Sequence, residues 1–67
     1  MMKINVVNRI REVLDERGIK ARWLAEQAGI TGTTLTNYLK NRRQPDAEVL
    51  ARIAKVLDLT VDDLLRY

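Results

Sequence analysis

Between Thr31 and Arg43 the chain gathers the groups best suited to chemistry: the hydroxyls of Thr33 and Thr36, the carboxamide of Asn37, and the cations Lys40, Arg42 and Arg43. A carboxamide donates and accepts at once, a threonine offers a hydroxyl or a methyl, and clustered cations neutralise an anion. The whole sequence contains neither His nor Cys, which removes the usual general base, the thiol nucleophile, disulfide staples and the common zinc frameworks. Acidic neighbours exist, Glu12 with Asp15 and Glu16, and Asp62 with Asp63. They fall at exposed helical positions or a helix start, where solvation and the helix dipole explain them. Three glycines form no phosphate-loop or dinucleotide pattern. The expected chemistry is recognition, with no enzymatic activity, cofactor, metal or small-molecule ligand.

The elements around these residues are short helices. Leu24, Ala25 and Ala28 give one helix an apolar face, and Gly29 supplies the permissive backbone of a tight turn just past its end. Thr31 caps the next helix, in which Leu35 faces the core while Gly32, Thr33, Thr36 and Asn37 point elsewhere. A short apolar helix, a Gly-Ile turn and a second helix with a small polar face beside cations is how a DNA-reading helix-turn-helix is written. Asn37 could make a bidentate contact to adenine, and the threonines could meet a base edge or a thymine methyl. Taken alone, the same residues have a plainer account as a solvated face followed by a soluble turn.

With 67 residues the chain is expected to be one domain with a modest core, stabilised by close helix packing or by forming a homodimer. No segment has the length of apolar sequence a membrane span requires, and the start, MMKINVVNR, lacks the apolar stretch of a signal peptide, so a cytoplasmic location is expected. The net charge of +3 is unevenly spread. Residues 1–45 hold nine Lys/Arg against four acids, and residues 46–67 hold three against five. The basic part is the part containing the motif, as attraction to a polyanion requires.

Periodicity predicts five helices. Val6, Ile10, Val13 and Leu14 form a stripe on a first helix over 6–17, capped by Asn5 and ended by Gly18. The second covers 21–28 and the third 32–40. Asp46 caps a fourth helix carrying Val49, Leu50, Ile53, Ala54 and Leu57, which ends near Asp58. Thr60 and Asp63 resemble a capping box for a final short helix with Val61, Leu64 and Leu65.

The ordered set of Glu16-Arg17-Gly18-Ile19, Leu24-Ala25, Gly29-Ile30-Thr31, Thr34-Leu35-Thr36, a basic turn, Pro45, the spaced Leu50, Ile53, Ala54 and Leu57, and Asp63 to Leu65 resembles the Cro and lambda-repressor (XRE) helix-turn-helix family over nearly the whole chain. No single piece is specific; the order and spacing are. The resemblance implies an all-α, five-helix lambda-repressor-like DNA-binding domain over 1–67, with the helix-turn-helix at helices 2 and 3. As in compact single-domain members, a short N-terminal strand, here Met2 to Ile4, would lie beside the chain's end at Arg66 to Tyr67.

The resemblance further implies that helix 3 enters the major groove of double-stranded DNA while helix 2 crosses above it. Base reading would fall on Gly32, Thr33, Thr36 and Asn37, and phosphate contact on Lys20, Arg22, Lys40, Arg42 and Arg43. Gly32 has no side chain to read with and would serve close backbone approach. Thr34 would sit on the buried side and Tyr38 in the packing of helix 3. Lys20 and Ala21 depart from the family's capping Ser or Thr and phosphate-binding Gln, Leu39 replaces a usual acid, and Asn41 stands where Gly is common. Trp23 replaces a polar residue and is expected to cover the edge of the core. The resulting expectation is a transcriptional regulator, a repressor, acting as a homodimer on a pseudo-palindromic operator, with Val61, Leu64, Leu65 and Tyr67 at the dimer interface. The alternative is a protein-binding adaptor, such as an antitoxin or anti-repressor. It calls for a large exposed apolar patch and for DNA binding that is weak and insensitive to salt.

Overall fold

The computed structural model describes residues 7–66. In chain order they form strand β1 (Val7–Asn8), helices α1 (Ile10–Arg17), α2 (Ala21–Ala28), α3 (Gly32–Leu39) and α4 (Ala47–Val56), a single 3₁₀ turn (Asp62–Leu64) and strand β2 (Leu65–Arg66). The core is shared among them: Ile10 and Leu14 from α1, Leu24 from α2, Leu35 from α3, Ile53 from α4 and Leu64 from the 3₁₀ turn are sealed from solvent. Each such side chain contributes roughly 1.5–3 kcal/mol through burial, so every helical element is held by at least one.

All four α-helices end in the same way. A residue in left-handed conformation follows each, Gly18 (φ 65°), Gly29 (φ 70°), Asn41 (φ 55°) and Asp58 (φ 57°). The next N–H then reaches back into the last turn: Ile19 to the Leu14 carbonyl at 2.9 Å, Ile30 to Ala25 at 3.0 Å, Arg42 to Asn37 at 3.0 Å and Leu59 to Ala54 at 2.8 Å. This arrangement satisfies carbonyls that a helix end would otherwise leave unpaired, and an apolar residue after the turn commonly packs back on the helix. Ile19, Ile30 and Leu59 do so. At the end of α3 the corresponding residue is Arg42, which is exposed.

Helix starts follow the sequence where a cap is present. Thr31 Oγ1 accepts from the Thr34 N–H at 3.1 Å, and Asp46 Oδ1 accepts from the Val49 N–H at 2.9 Å. Lys20, preceding α2, makes no side-chain cap. Helices 2 to 4 therefore lie where periodicity puts them, with α3 one residue shorter than expected.

The chain ends differ from expectation. The first helix starts at Ile10 and not at residue 6, because Val7 and Asn8 pair antiparallel with Arg66 and Leu65. Asn8 Oδ1 accepts the Ile10 N–H at 3.2 Å, the role assigned by sequence to Asn5. Asn5, Val6, the Met2 to Ile4 strand and Tyr67 lie outside the described residues. The short strand exists, but at Val7–Asn8. The five-helix count is also corrected: among the described residues there are four α-helices, and the expected fifth is one 3₁₀ turn. The Thr60–Asp63 capping box forms in both directions, at 3.0 and 3.2 Å. A second turn would need Leu65 and Arg66, which are extended and paired with β1. No helix among the described residues is long and apolar enough to cross a membrane.

Candidate nucleic-acid interface

Helices α2 and α3 enclose an open groove of about 750 Å³, lined by Arg22 and Glu26 of α2, by Gly32, Thr33, Thr36 and Asn37 of α3, and by Arg42. All four residues expected to read bases thus share one surface with two of the expected phosphate ligands. Leu35, buried in the core, also borders the groove, while Thr33 and Thr36 are exposed.

The four candidate readers are not equivalent. Thr33 is exposed, Asn37 is half-buried, and neither side chain forms a hydrogen bond with another described residue. Thr36 is exposed, and its Oγ1 donates to the Gly32 carbonyl at 2.9 Å, so its proton is occupied within the helix. Gly32 has no internal reason to be glycine: a Cβ there would meet nothing within 4 Å, and its φ is not positive. Thr34, expected on the buried side, is half-buried, and its hydroxyl accepts from that of Thr31 at 2.9 Å. Tyr38 is buried in the core, as packing predicts, and Leu39 leans against it.

The cations divide. Lys40, Arg42 and Arg43 are exposed and form no ion pair with another described residue. Arg22 lies 3.5 Å from Glu26 on the groove wall with its side chain 91% exposed, a screened pair that anionic DNA could open. Lys20 lies outside the α2–α3 groove, in a separate shallow groove of about 350 Å³ with Gly18, Ile19 and Trp23. Trp23 does not cover the core as expected: it is 46% exposed, because the buried stripe of α2 is Leu24, Ala25 and Ala28, and Trp23 is turned about 100° from Leu24.

Other cations of the basic portion serve the fold. Arg17 Nη1 donates to the Leu57 carbonyl at 2.6 Å, closing the end of α4, and Arg9 meets Glu12 at 3.3 Å and the Asp63 carbonyl at 3.3 Å. From the other half, Arg52 Nη1 donates to the Ala28 carbonyl at 3.0 Å and clamps the end of α2 to α4. Cations at helix C-termini complement the helix dipole. Sequence counting missed this division because a lysine or arginine carries no local sign of its partner.

The expected dimer residues need correction at Leu64. Its side chain is 0% exposed and belongs to the monomer's own core, so it is not available to a partner. Val61 and Leu65 are half-buried against that core, and Tyr67 is outside the described residues.

Asn8 was not singled out by sequence, yet it is the buried polar residue of the core, 5% exposed. Its Nδ2 donates to the Tyr38 carbonyl at 2.8 Å and to Gln44 Oε1 at 3.0 Å. Its backbone N–H donates to Asn41 Oδ1 at 2.9 Å, and its carbonyl accepts from Asn41 Nδ2 at 3.3 Å. The left-handed backbone expected of Asn41 is present; the bonds across to residue 8 had no local signal.

Comparison with known proteins agrees with this geometry. A family model for the Cro/C1-type helix-turn-helix DNA-binding domain matches residues 9–67. The crystal structure of a protein from Bacteroides fragilis, provisionally described as DNA-binding, superposes with a TM-score of 0.87 at 34% identity, covering 92% of this chain and all of that one. The HTH-type transcriptional regulator DdrOP3 of Deinococcus deserti is 32% identical over 62 residues. That match covers 92% of this chain but 48% of the relative, so the chain spans about half the length of the curated relative it matches.

Proposed function

The chain belongs to the Cro/C1-type helix-turn-helix DNA-binding domain family, and from that premise we propose that it acts as a sequence-specific transcriptional regulator, a repressor by occupancy, with α3 in the major groove. The observation that carries this reading is the α2–α3 groove, which gathers Thr33, Thr36, Asn37, Arg22 and Arg42 on one face. The major groove is about 12 Å wide and admits one helix. In this reading Asn37 pairs with adenine, Thr33 supplies a hydroxyl or methyl, and Thr36 presents mainly its methyl. Gly32 lets DNA approach the backbone at the start of α3, which fits a glycine that neither φ nor packing demands. Lys40, Arg42 and Arg43, with Arg22 and Lys20, bind phosphates and set the angle of docking.

Two copies on a pseudo-palindrome, with half-sites about one helical turn apart, complete the proposal. Trp23 is the exposed large hydrophobic side chain among the described residues. With so little exposed apolar surface among the described residues, the two copies meet weakly in solution and assemble on the operator, Val61 and Leu65 adding apolar contact near the chain's end. Among the described residues no large exposed apolar patch of the kind the adaptor requires supports that alternative.

Selection of binding sites from random duplex DNA, followed by titration of the winner and a scrambled duplex at two salt concentrations, tests this reading. The expected winner is a pseudo-palindrome bound by two chains, about a thousandfold or more tighter than the scramble and with steep salt dependence. Direct repeats would sink the two-fold arrangement. No enriched site, with weak binding to every duplex, would sink the regulator and favour a protein partner.

A further inference from the structure

We propose that Asn8, Asn41 and Gln44 form a carboxamide knot that positions Arg42 and Arg43 on the DNA backbone, making the paired chain ends a support of the binding surface. The inference rests on the reading of Arg42 and Arg43 as phosphate ligands. Its starting point is the unequal ending of the four helices. After α1, α2 and α4 the residue beyond the left-handed turn is Ile19, Ile30 or Leu59, and each is anchored against the core. After α3 it is Arg42, which cannot both anchor the turn and reach for a phosphate.

Asn41 takes over the anchoring. The Arg9 N–H faces β2, where it donates to the Leu64 carbonyl at 2.7 Å. Backbone groups alternate along a strand, so those of Asn8 face the opposite way, toward the open edge of β1. There the Asn41 carboxamide meets both of them, accepting from the N–H at 2.9 Å and donating to the carbonyl at 3.3 Å. One side chain thus occupies the place a third strand would take. Gln44 completes the tie, with Nε2 donating to Asn41 Oδ1 at 2.9 Å and Oε1 accepting from Asn8 Nδ2 at 3.0 Å. Arg42 and Arg43 lie between these two knotted residues in sequence. The remaining Asn8 donor bond, to the Tyr38 carbonyl at 2.8 Å, fixes the end of α3 to the same point. A buried carboxamide with every polar atom partnered is costly to disturb and specifies one geometry.

The test uses the full chain. Asn41→Gly keeps the left-handed backbone while removing the carboxamide. Melting first establishes that the variant is folded at the assay temperature, and affinity for the selected and the scrambled duplex is then measured over a salt series. We expect binding to both duplexes to weaken by about threefold to tenfold, with the slope of log affinity against log salt reduced by about one to two as phosphate contacts are lost. In an Arg42→Ala/Arg43→Ala background, adding Asn41→Gly should change affinity by less than about twofold. A general loss of stability would alter neither the salt slope nor this additivity. Folded Asn41→Gly with unchanged affinity and slope, or a fully additive loss in the triple variant, overturns the positioning role. Wild-type chain that binds no duplex overturns the DNA-binding reading itself and the positioning role with it. Gln44→Ala, which removes one exposed partner, supplies the same readout should Asn41→Gly fail to fold, and an unchanged slope there overturns the proposal equally.

Discussion

The α2–α3 face and the joined chain ends use the same residue types to opposite purposes. On the face, Thr33, Asn37 and Arg42, and in the turn after α3 Lys40 and Arg43, carry side chains that form no hydrogen bond or ion pair with another described residue. At the ends, Arg9 meets Glu12 and, at 3.9 Å, Glu16, while Arg66 pairs with Glu12 across from β2 to α1. Thr60 and Asp63 cap one another, and Leu64 is sealed. One region leaves its polar groups without partners among the described residues, and the other uses them to hold the chain. The difference shows why net charge along a sequence is a poor map of a binding surface: Arg9 and Arg17 count toward the basic portion, but their partners are internal.

The largest effect should come from the chain ends. Leu64→Ala is expected to cost about 2–5 kcal/mol of folding stability, since it empties a sealed position of the core, with a urea midpoint that does not change with protein concentration. A midpoint that rose with wild-type concentration, and lost that dependence in Leu64→Ala, would return Leu64 to an interface and break the comparison. On the α2–α3 face, Asn37→Ala should leave the urea midpoint nearly unchanged yet lose about 1–3 kcal/mol of binding to the selected duplex while relaxing one base position. Equal losses on selected and scrambled duplexes would show that Asn37 does not read sequence.

Two arginines sharpen the contrast. Arg17→Met, which removes a 2.6 Å bond to the Leu57 carbonyl, should lower stability by about 1 kcal/mol and leave the salt slope of DNA binding alone. Arg42→Ala should do the reverse, reducing the slope by about one and weakening all sequences alike, within about 0.5 kcal/mol of wild-type stability. If the two variants behave alike in both assays, the division between internal and outward cations is wrong.

What the sequence made legible follows the same division. The α2–α3 unit is written locally: a left-handed glycine at 29, a capping threonine at 31, and Leu24, Ala28 and Leu35 at helical spacing, so its bounds and its outward residues could be read within a few turns of chain. The ends depend on pairing residues 7–8 with 65–66, and strands of two residues have no alternation to detect. Val61, Leu64 and Leu65 form an apolar group that suits an outward or an inward face equally; only the β1–β2 pairing turns Leu64 inward. At the site, the exposed side of α3 was legible once Leu35 was assigned to the core. The hold of Asn8 on Asn41 across 33 positions was not, because nothing near either residue names the other.

The smallest expected effect tests the ends by pH. Asp63 is held below the ordinary carboxylate range, first by the bond from the Thr60 backbone N–H, then by the Thr60 side chain, with Arg9 and Arg17 adding smaller attractions against a slight desolvation. A carboxylate whose pKa is lower folded than unfolded stabilises the fold above its unfolded pKa, and that contribution disappears as pH falls through the folded value. Asp63→Asn keeps an acceptor for Thr60 but cannot titrate. In urea at about pH 7 the variant should therefore be slightly less stable than wild type, and the gap should shrink as the pH is lowered through about 4. The salt slope of DNA binding at neutral pH should be the same in both, because Asp63 belongs to the internally engaged region. A gap that stays constant down to about pH 3 would mean that the charge on Asp63 does not hold the 3₁₀ turn. A changed salt slope would mean instead that the chain ends and the binding face are not separable at this residue, and that the support they give extends beyond Asn8, Asn41 and Gln44.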